Sequence, residues 1–214
     1  MCNPSSPQTD SQSFDGNWPN YYQAVAGRPP RDTLLAALER FEAEQLDNKI
    51  CRFAVDLGCG EGRDTVELLN RGWQVLAIDG HSEGISRLLS RPDLQHRDRL
   101  ETRLARFQEA SWPDADLINA SFSLPFCPPE LFSAMWDRIV RSLLSGGRFA
   151  GQLFGDQDEW ATIPTNTHHT RAEAEALFQL FEIERFDEVE QDGETAVGKQ
   201  KHWHLFHIVA RKHY

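Results

Sequence analysis

Apolar residues follow two rhythms along this chain. After Pro29-Pro30, Leu34, Leu35, Leu38 and Phe41 recur at helical spacing, which predicts a helix from about residue 31. Phe53, Ala54, Val55 and Leu57 form a short apolar run with Asp56 at its end, the pattern of a buried strand. Gly58, Gly60 and Gly62 follow, and Thr65 to Leu69 continues as a helix stopped by Arg71-Gly72. The alternation then repeats. WQVLAIDG, residues 73–80, is a strand ending on Asp79, and Ser82 to Leu89 reads as a helix. Residues 100–106 and Ala115 to Phe122 are strands, 129–144 is an amphipathic helix, and RFAGQLFG is a further strand. Residues 171–180 predict a helix. Phe181–Val189 and Lys201–Arg211 predict a hairpin connected around Gln191-Asp192-Gly193. Repeated βα units closed by a hairpin give an α/β fold, a mainly parallel, helix-covered sheet with an antiparallel edge.

The bulk numbers narrow the function classes. At 214 residues the chain is long enough for one substantial core. Residues 1–16 are rich in Ser, Pro, Gln and Asp and read as a disordered tail, leaving 17–214 as one domain. With 22 Lys+Arg against 33 Asp+Glu the net charge is −11, which disfavours a nucleic-acid partner. No apolar stretch approaches the roughly 20 residues that span a bilayer, and the N-terminus lacks the pattern of a signal peptide. The four cysteines show no metal-binding spacing, so a reducing cytoplasm is expected and no metal site is assigned.

The strand, glycine turn and helix start at 53–65 make a nucleotide-class binding corner. A dinucleotide site wants a third glycine where Arg63 stands. Asp56 and Glu61 would repel a pyrophosphate but favour a ligand carrying ammonium and sulfonium charges. Asp56-x-Gly58-x-Gly60-x-Gly62 resembles motif I of the class I S-adenosylmethionine-dependent methyltransferases. Asp79, nineteen residues past Gly60 at the next strand end, is similar to that family's ribose-binding acid. The resemblance implies a Rossmann-like three-layer sandwich with a seven-stranded sheet and a C-terminal antiparallel hairpin. It implies S-adenosylmethionine as cofactor, held by Asp56, Gly58, Gly60 and Asp79. It also implies Gln108 or Glu109 near the adenine and Asn119, at the fourth strand, near the methyl group. Within the class the chain looks like the tellurite-resistance and thiopurine type, which act on small molecules.

The expected activity is methyl transfer to a small-molecule acceptor by in-line displacement, with no catalytic residue assigned. The alternative is a non-catalytic cofactor-binding or interaction protein on the same fold. The acceptor pocket is expected between Trp18, Tyr21 and Tyr22, the segment after Asn119 and the 155–170 loop. Those aromatics serve either as core of an N-terminal helix or as a lid. Arg28 and Arg31 are candidates for the methionine carboxylate. Among the eight histidines, His168 and His169 are minor candidates for a base, while His202 and His204 share a strand face suited to hydrogen bonding.

Overall fold

The structure, a computed structural model, describes residues 18–44, 51–107 and 109–213. The tail at 1–16 and Gln108 lie outside the described residues. One mixed sheet runs through the protein in the order β3-β2-β1-β4-β5-β8-β7, with a two-residue strand, β6, added beside β5. The parallel strands are β1 (Phe53–Leu57), β2 (Gln74–Asp79), β3 (Leu100–Leu104), β4 (Ala115–Ala120) and β5 (Leu143–Gly155). β6 is His168–His169, and the antiparallel pair is β7 (Phe181–Glu194) and β8 (Gln200–Lys212).

The helices are α1 (Trp18–Val25), α2 (Asp32–Ala43), α3 (Arg63–Asn70), α4 (Ser82–Leu89), α5 (Pro129–Ser142) and α6 (Arg171–Ala176). Strand side chains alternate between faces, so the central strands feed two cores. Ala54, Val75, Ala77 and Leu117 pack with Leu34, Leu38 and Phe41 of α2, Leu68 and Leu69 of α3 and Leu88 of α4. Val55, Leu57, Leu76, Ile78 and Ile118 pack on the other side with Phe132, Met135, Trp136 and Ile139 of α5. The result is three layers. After β1 the chain moves outward through β2 and β3, then returns to place β4 on the other flank of β1. That reversal opens a crevice at the carboxyl ends of β1, β2 and β4.

The hairpin differs from its sequence expectation. β7 and β8 run on through Gln191–Gly193, where Gly193 pairs with Lys201. The connection lies at residues 195–199. Thr195 N–H donates to Lys199 O at 2.8 Å, Lys199 N–H donates to Thr195 Oγ1 at 3.1 Å, and Gly198 supplies a φ of +79°. A turn forms where the backbone needs left-handed φ, and that position is Gly198. β5 begins at Leu143, inside the 129–144 stretch expected to be helical, and takes in Gly146-Gly147.

Candidate functional site

A cavity of about 250 Å³ opens at the switch point, walled by Asp56, Gly58, Gly60, Glu61, Asp79 and the aromatics of α1. The turn that builds it is anchored to β2, because Gly58 N–H and Cys59 N–H both donate to Ile78 O, at 2.7 and 3.1 Å. Gly58 adopts φ +72°, and a Cβ there would sit 2.4 Å from Cβ of Ser123. The glycine is therefore required by backbone shape and by close packing against the segment after β4. Gly60, at φ +54°, turns its N–H onto Asp79 Oδ2 at 2.8 Å. Asp79 Oδ1 accepts from His81 N–H at 2.7 Å. Two backbone donors thus fix this carboxylate in the cavity wall. Burial raises its pKa, and the same two N–H groups oppose the rise.

Beneath the turn lies a polar cluster that the motif alone does not reveal. Asp56 is 2% exposed; its Oδ2 accepts from Thr65 Oγ1 at 2.6 Å and its Oδ1 from Asn119 Nδ2 at 2.9 Å. The same Asn119 amide donates to Asp64 Oδ2 at 3.1 Å, and Arg31 N–H donates to Asp64 Oδ1 at 2.9 Å. Burial first, and the Asp64 carboxylate second, push Asp56 up to about 7. Asn119 is fully buried, holds the two carboxylates together and stays outside the cavity wall. Glu109 is exposed and also absent from the wall, where Arg106, Phe107 and Ala110 stand instead.

Two cavity residues were not singled out as ligands from sequence. Glu61 is buried, with Oε1 unpartnered, and burial raises its pKa. Arg63 donates from Nη2 to Pro29 O, while its Nε and Nη1 are buried without a partner. Orphaned buried polar atoms cost free energy unless a ligand completes them. The signal available in sequence was Arg63 itself, read there only as too large for a third glycine.

A second cavity of about 310 Å³ adjoins the first and shares Trp18, Tyr21, Arg31, Phe122 and Phe126 with it. Its outer wall is Trp160, Trp203, Leu205, His207 and the tip of the hairpin. The expected loop and aromatics are brought together here, and the hairpin joins them. The α1 aromatics are part core and part cavity wall. Tyr22 is buried, while the Trp18 ring lies 5.0 Å from His81 in a tilted contact and 5.7 Å from Phe126 edge-on, between the two cavities. His168 and His169 line neither cavity. Burial lowers His169 to about 4, and its ring rests 4.7 Å from Phe132. His204 bonds Glu188 at 2.9 Å and His202 bonds Asp192 at 2.7 Å on the hairpin.

Residues 54–147, from β1 to the start of β5, match the family model of a methyltransferase domain. Solved structures share the chain's fold at low identity. TehB from Haemophilus influenzae superposes with a TM-score of 0.67 at 17% identity, over 83% of this chain and 61% of its own. The chain thus spans less than two thirds of TehB's length. A SAM-dependent methyltransferase from Methanosarcina mazei gives 0.61 at 21% identity, covering 81% of this chain and 97% of its own. The 1,6-didemethyltoxoflavin-N1-methyltransferase of Burkholderia thailandensis, solved with that compound and S-adenosylhomocysteine, gives 0.63 at 17%, over 100% and 94%. No curated protein matches the sequence. Among the described residues no helix is long and apolar enough to cross a membrane, and no cluster of His, Cys, Asp and Glu could hold a metal ion.

Proposed function

We propose that this protein moves the methyl group of S-adenosylmethionine to a small-molecule acceptor, with residues 17–214 acting as one unit in a cytoplasmic setting. The observation that carries the reading is the Asp79 carboxylate, fixed in the wall of the first cavity by the N–H groups of Gly60 and His81. Each oxygen keeps a lone pair for the ribose hydroxyls. Glu61 Oε1 would accept from the ammonium group, and Arg63 Nε and Nη1 would donate to the methionine carboxylate. The wall thus suits a zwitterion, with unpartnered acid and base on one cavity.

When bound, S-adenosylmethionine would supply an electrophilic methyl group carried on a positive sulfur. The chain's part is to align and to exclude water. Gly58 and Gly60 shape the turn. Asp56 and Asn119 act from beneath it: both Asp56 oxygens are already bonded, so these residues position the wall and set its charge. Phe107 and Ala110, rather than the exposed Glu109, would face the adenine. Trp18 and Tyr22 would cover the cofactor, and the second cavity would take the acceptor. A net charge of −11 supports a small molecule over a nucleic acid.

Calorimetry tests the reading: S-adenosylhomocysteine binds and NADH does not. Asp79→Ala weakens S-adenosylhomocysteine by about 1–3 kcal/mol, the scale of hydrogen bonds to a charged group. Unchanged affinity in the folded variant removes Asp79 from the site. Methyl transfer across thiols, amines and phenols separates an enzyme from a protein that only binds the cofactor.

A further inference from the structure

The second cavity carries more information than its position. Its walls are flat and apolar, built from Trp18, Phe122, Phe126, Trp160 and Trp203. Phe126 stands at 81° to Trp18, and Trp160 at 61° to Trp203, so the rings frame a space with planar faces. Such faces favour a planar ring placed in stacked or edge-on contact.

The charges at this cavity are mostly positive. Arg31 lies where the two cavities meet, its guanidinium 4.2 Å over the Phe122 ring. Among the described residues it has no carboxylate within ion-pair distance, and its side chain makes no hydrogen bond. A stacked guanidinium keeps its N–H edge free for a planar anion. Arg28 adds a second cation at the rim. The carboxylate in the wall, Glu194, is exposed and already accepts from Gln200 Nε2 at 3.0 Å. His207 adds a neutral donor. Gln152 Oε1 accepts from Phe122 N–H at 3.0 Å, which turns Gln152 Nε2 toward His207 Nδ1 at 3.5 Å and leaves the proton of the neutral ring on Nε2.

An aromatic box alone would suit a cationic ligand equally well. Here one cation already occupies the back of the box. Lys201 Nζ lies 3.7 Å from the Trp203 ring and 4.5 Å from Trp160, buried outside the cavity wall. Arg31 at the front would repel a second.

Resting on the methyl-transfer reading above, we propose that this cavity selects a planar aromatic or heteroaromatic acceptor bearing an ionised acidic group, its ring between Trp160, Trp203 and Phe126 and its anion on Arg31. The test uses three probes titrated into protein saturated with S-adenosylhomocysteine: 2-naphthoate, its neutral amide 2-naphthamide, and the non-aromatic cyclohexanecarboxylate. Naphthoate is expected to bind about tenfold tighter than the amide, the scale of a hydrogen bond to a charged group. It is expected to bind about tenfold tighter than the saturated acid, the scale of aromatic contacts together with apolar area. Arg31→Gln should bring acid and amide within about threefold of one another, and Trp203→Leu should do the same for naphthoate and cyclohexanecarboxylate. Each variant is compared with itself across probes, so a general loss of stability does not imitate either result. Should naphthoate bind wild type no tighter than its amide or the saturated acid, the inference is overturned. It is equally overturned if Arg31→Gln and the exposed Arg28→Gln both leave the acid-to-amide ratio unchanged. Failure of S-adenosylhomocysteine itself to bind would instead overturn the methyl-transfer reading.

Discussion

The two cavities touch, sharing Arg31 and the α1 aromatics, yet they are assembled differently. The first centres on a single stretch of chain, with α1 and the segments after β3 and β4 completing its walls. One strand end, one glycine turn and the next strand end supply Asp56, Gly58, Gly60, Glu61 and Asp79, all within a short stretch of chain. The second draws Trp18 from α1, Phe122 from the segment after β4, Trp160 from the 155–170 loop and Trp203 from β8. The first is held by hydrogen bonds to buried carboxylates, the second by ring contacts and one ion pair. A local motif can fix where a cofactor sits, whereas an acceptor pocket assembled from distant segments can change its walls without disturbing the turn.

The sharpest way to break this comparison is to attack the ion pair behind the second cavity. Lys201 and Asp158 are both buried, in direct contact, and Asp158 also accepts from Trp160 N–H at 2.9 Å and His204 N–H at 3.0 Å. This pair ties the loop to β8 and so holds Trp160 beside Trp203. Burial lowers the Lys201 pKa while Asp158 opposes the shift. Lys201→Met leaves Asp158 buried without its cation, and a loss of about 3–5 kcal/mol in urea unfolding is expected. Adding Asp158→Asn should recover part of that loss. Throughout the series S-adenosylhomocysteine affinity of the folded protein should hold, because neither residue lines the first cavity. A parallel fall in cofactor affinity would show the two cavities to be one unit.

Gly58→Ala is the matching attack on the first cavity. The new Cβ meets Ser123 at 2.4 Å on a backbone at φ +72°. Strain and overpacking together predict a loss of about 3 kcal/mol in unfolding free energy. Here cofactor affinity should fall as well, because the turn that moves is the cofactor wall.

This pair of substitutions also marks what the sequence could reveal. The turn was legible because Gly58, Gly60 and Asp79 stand at fixed spacing; that Gly60 N–H donates to Asp79 is added by the structure. The βα alternation was legible because the central strands β1, β2 and β4 are buried almost throughout, while the helices bury one face. Asn119 was placed near the methyl group by resemblance, yet its side chain points beneath the turn to Asp56 and Asp64. Strand periodicity gives the face of a residue but not its partner. Trp203 and Trp160 could not be paired in advance, because their 5.5 Å contact depends on where the hairpin folds back.

The buried cluster under the turn predicts a pH signature opposite in sign to that of His207 in the second cavity, whose pKa burial lowers. Asp56 rises from an ordinary value near 3.8 to about 7 in the folded protein. Between those values the folded state holds a proton that the unfolded state has released, so stability falls as pH rises from about 4 to about 7, then levels. Asp56→Asn should flatten this slope in unfolding titrations across the window. A slope unchanged by the variant would assign the proton elsewhere. A ligand ammonium near the cluster favours the ionised carboxylate, so S-adenosylhomocysteine binding at pH 6 should release a proton, read by calorimetry in buffers of different ionisation enthalpy.

The smallest expected effect lies at the hairpin tip, where sequence and structure chose different glycines. At Gly193 the residue sits inside β7, and an added Cβ would be in ordinary contact with Trp203 at 3.4 Å. Gly193→Ala should therefore change stability by no more than about 0.5 kcal/mol, as expected of a surface strand position. Gly198 has open space around it but holds φ +79° in the turn between Thr195 and Lys199. Gly198→Ala should cost about 1 kcal/mol through backbone strain alone. Thr195 and Ala196 line the second cavity, so the strain should also surface as weaker 2-naphthoate binding with S-adenosylhomocysteine affinity intact. If Gly193→Ala proved the costlier change, the connection would fall where the spacing of Gln191-Asp192-Gly193 put it, and the outer wall of the acceptor cavity would have to be rebuilt around a shorter hairpin.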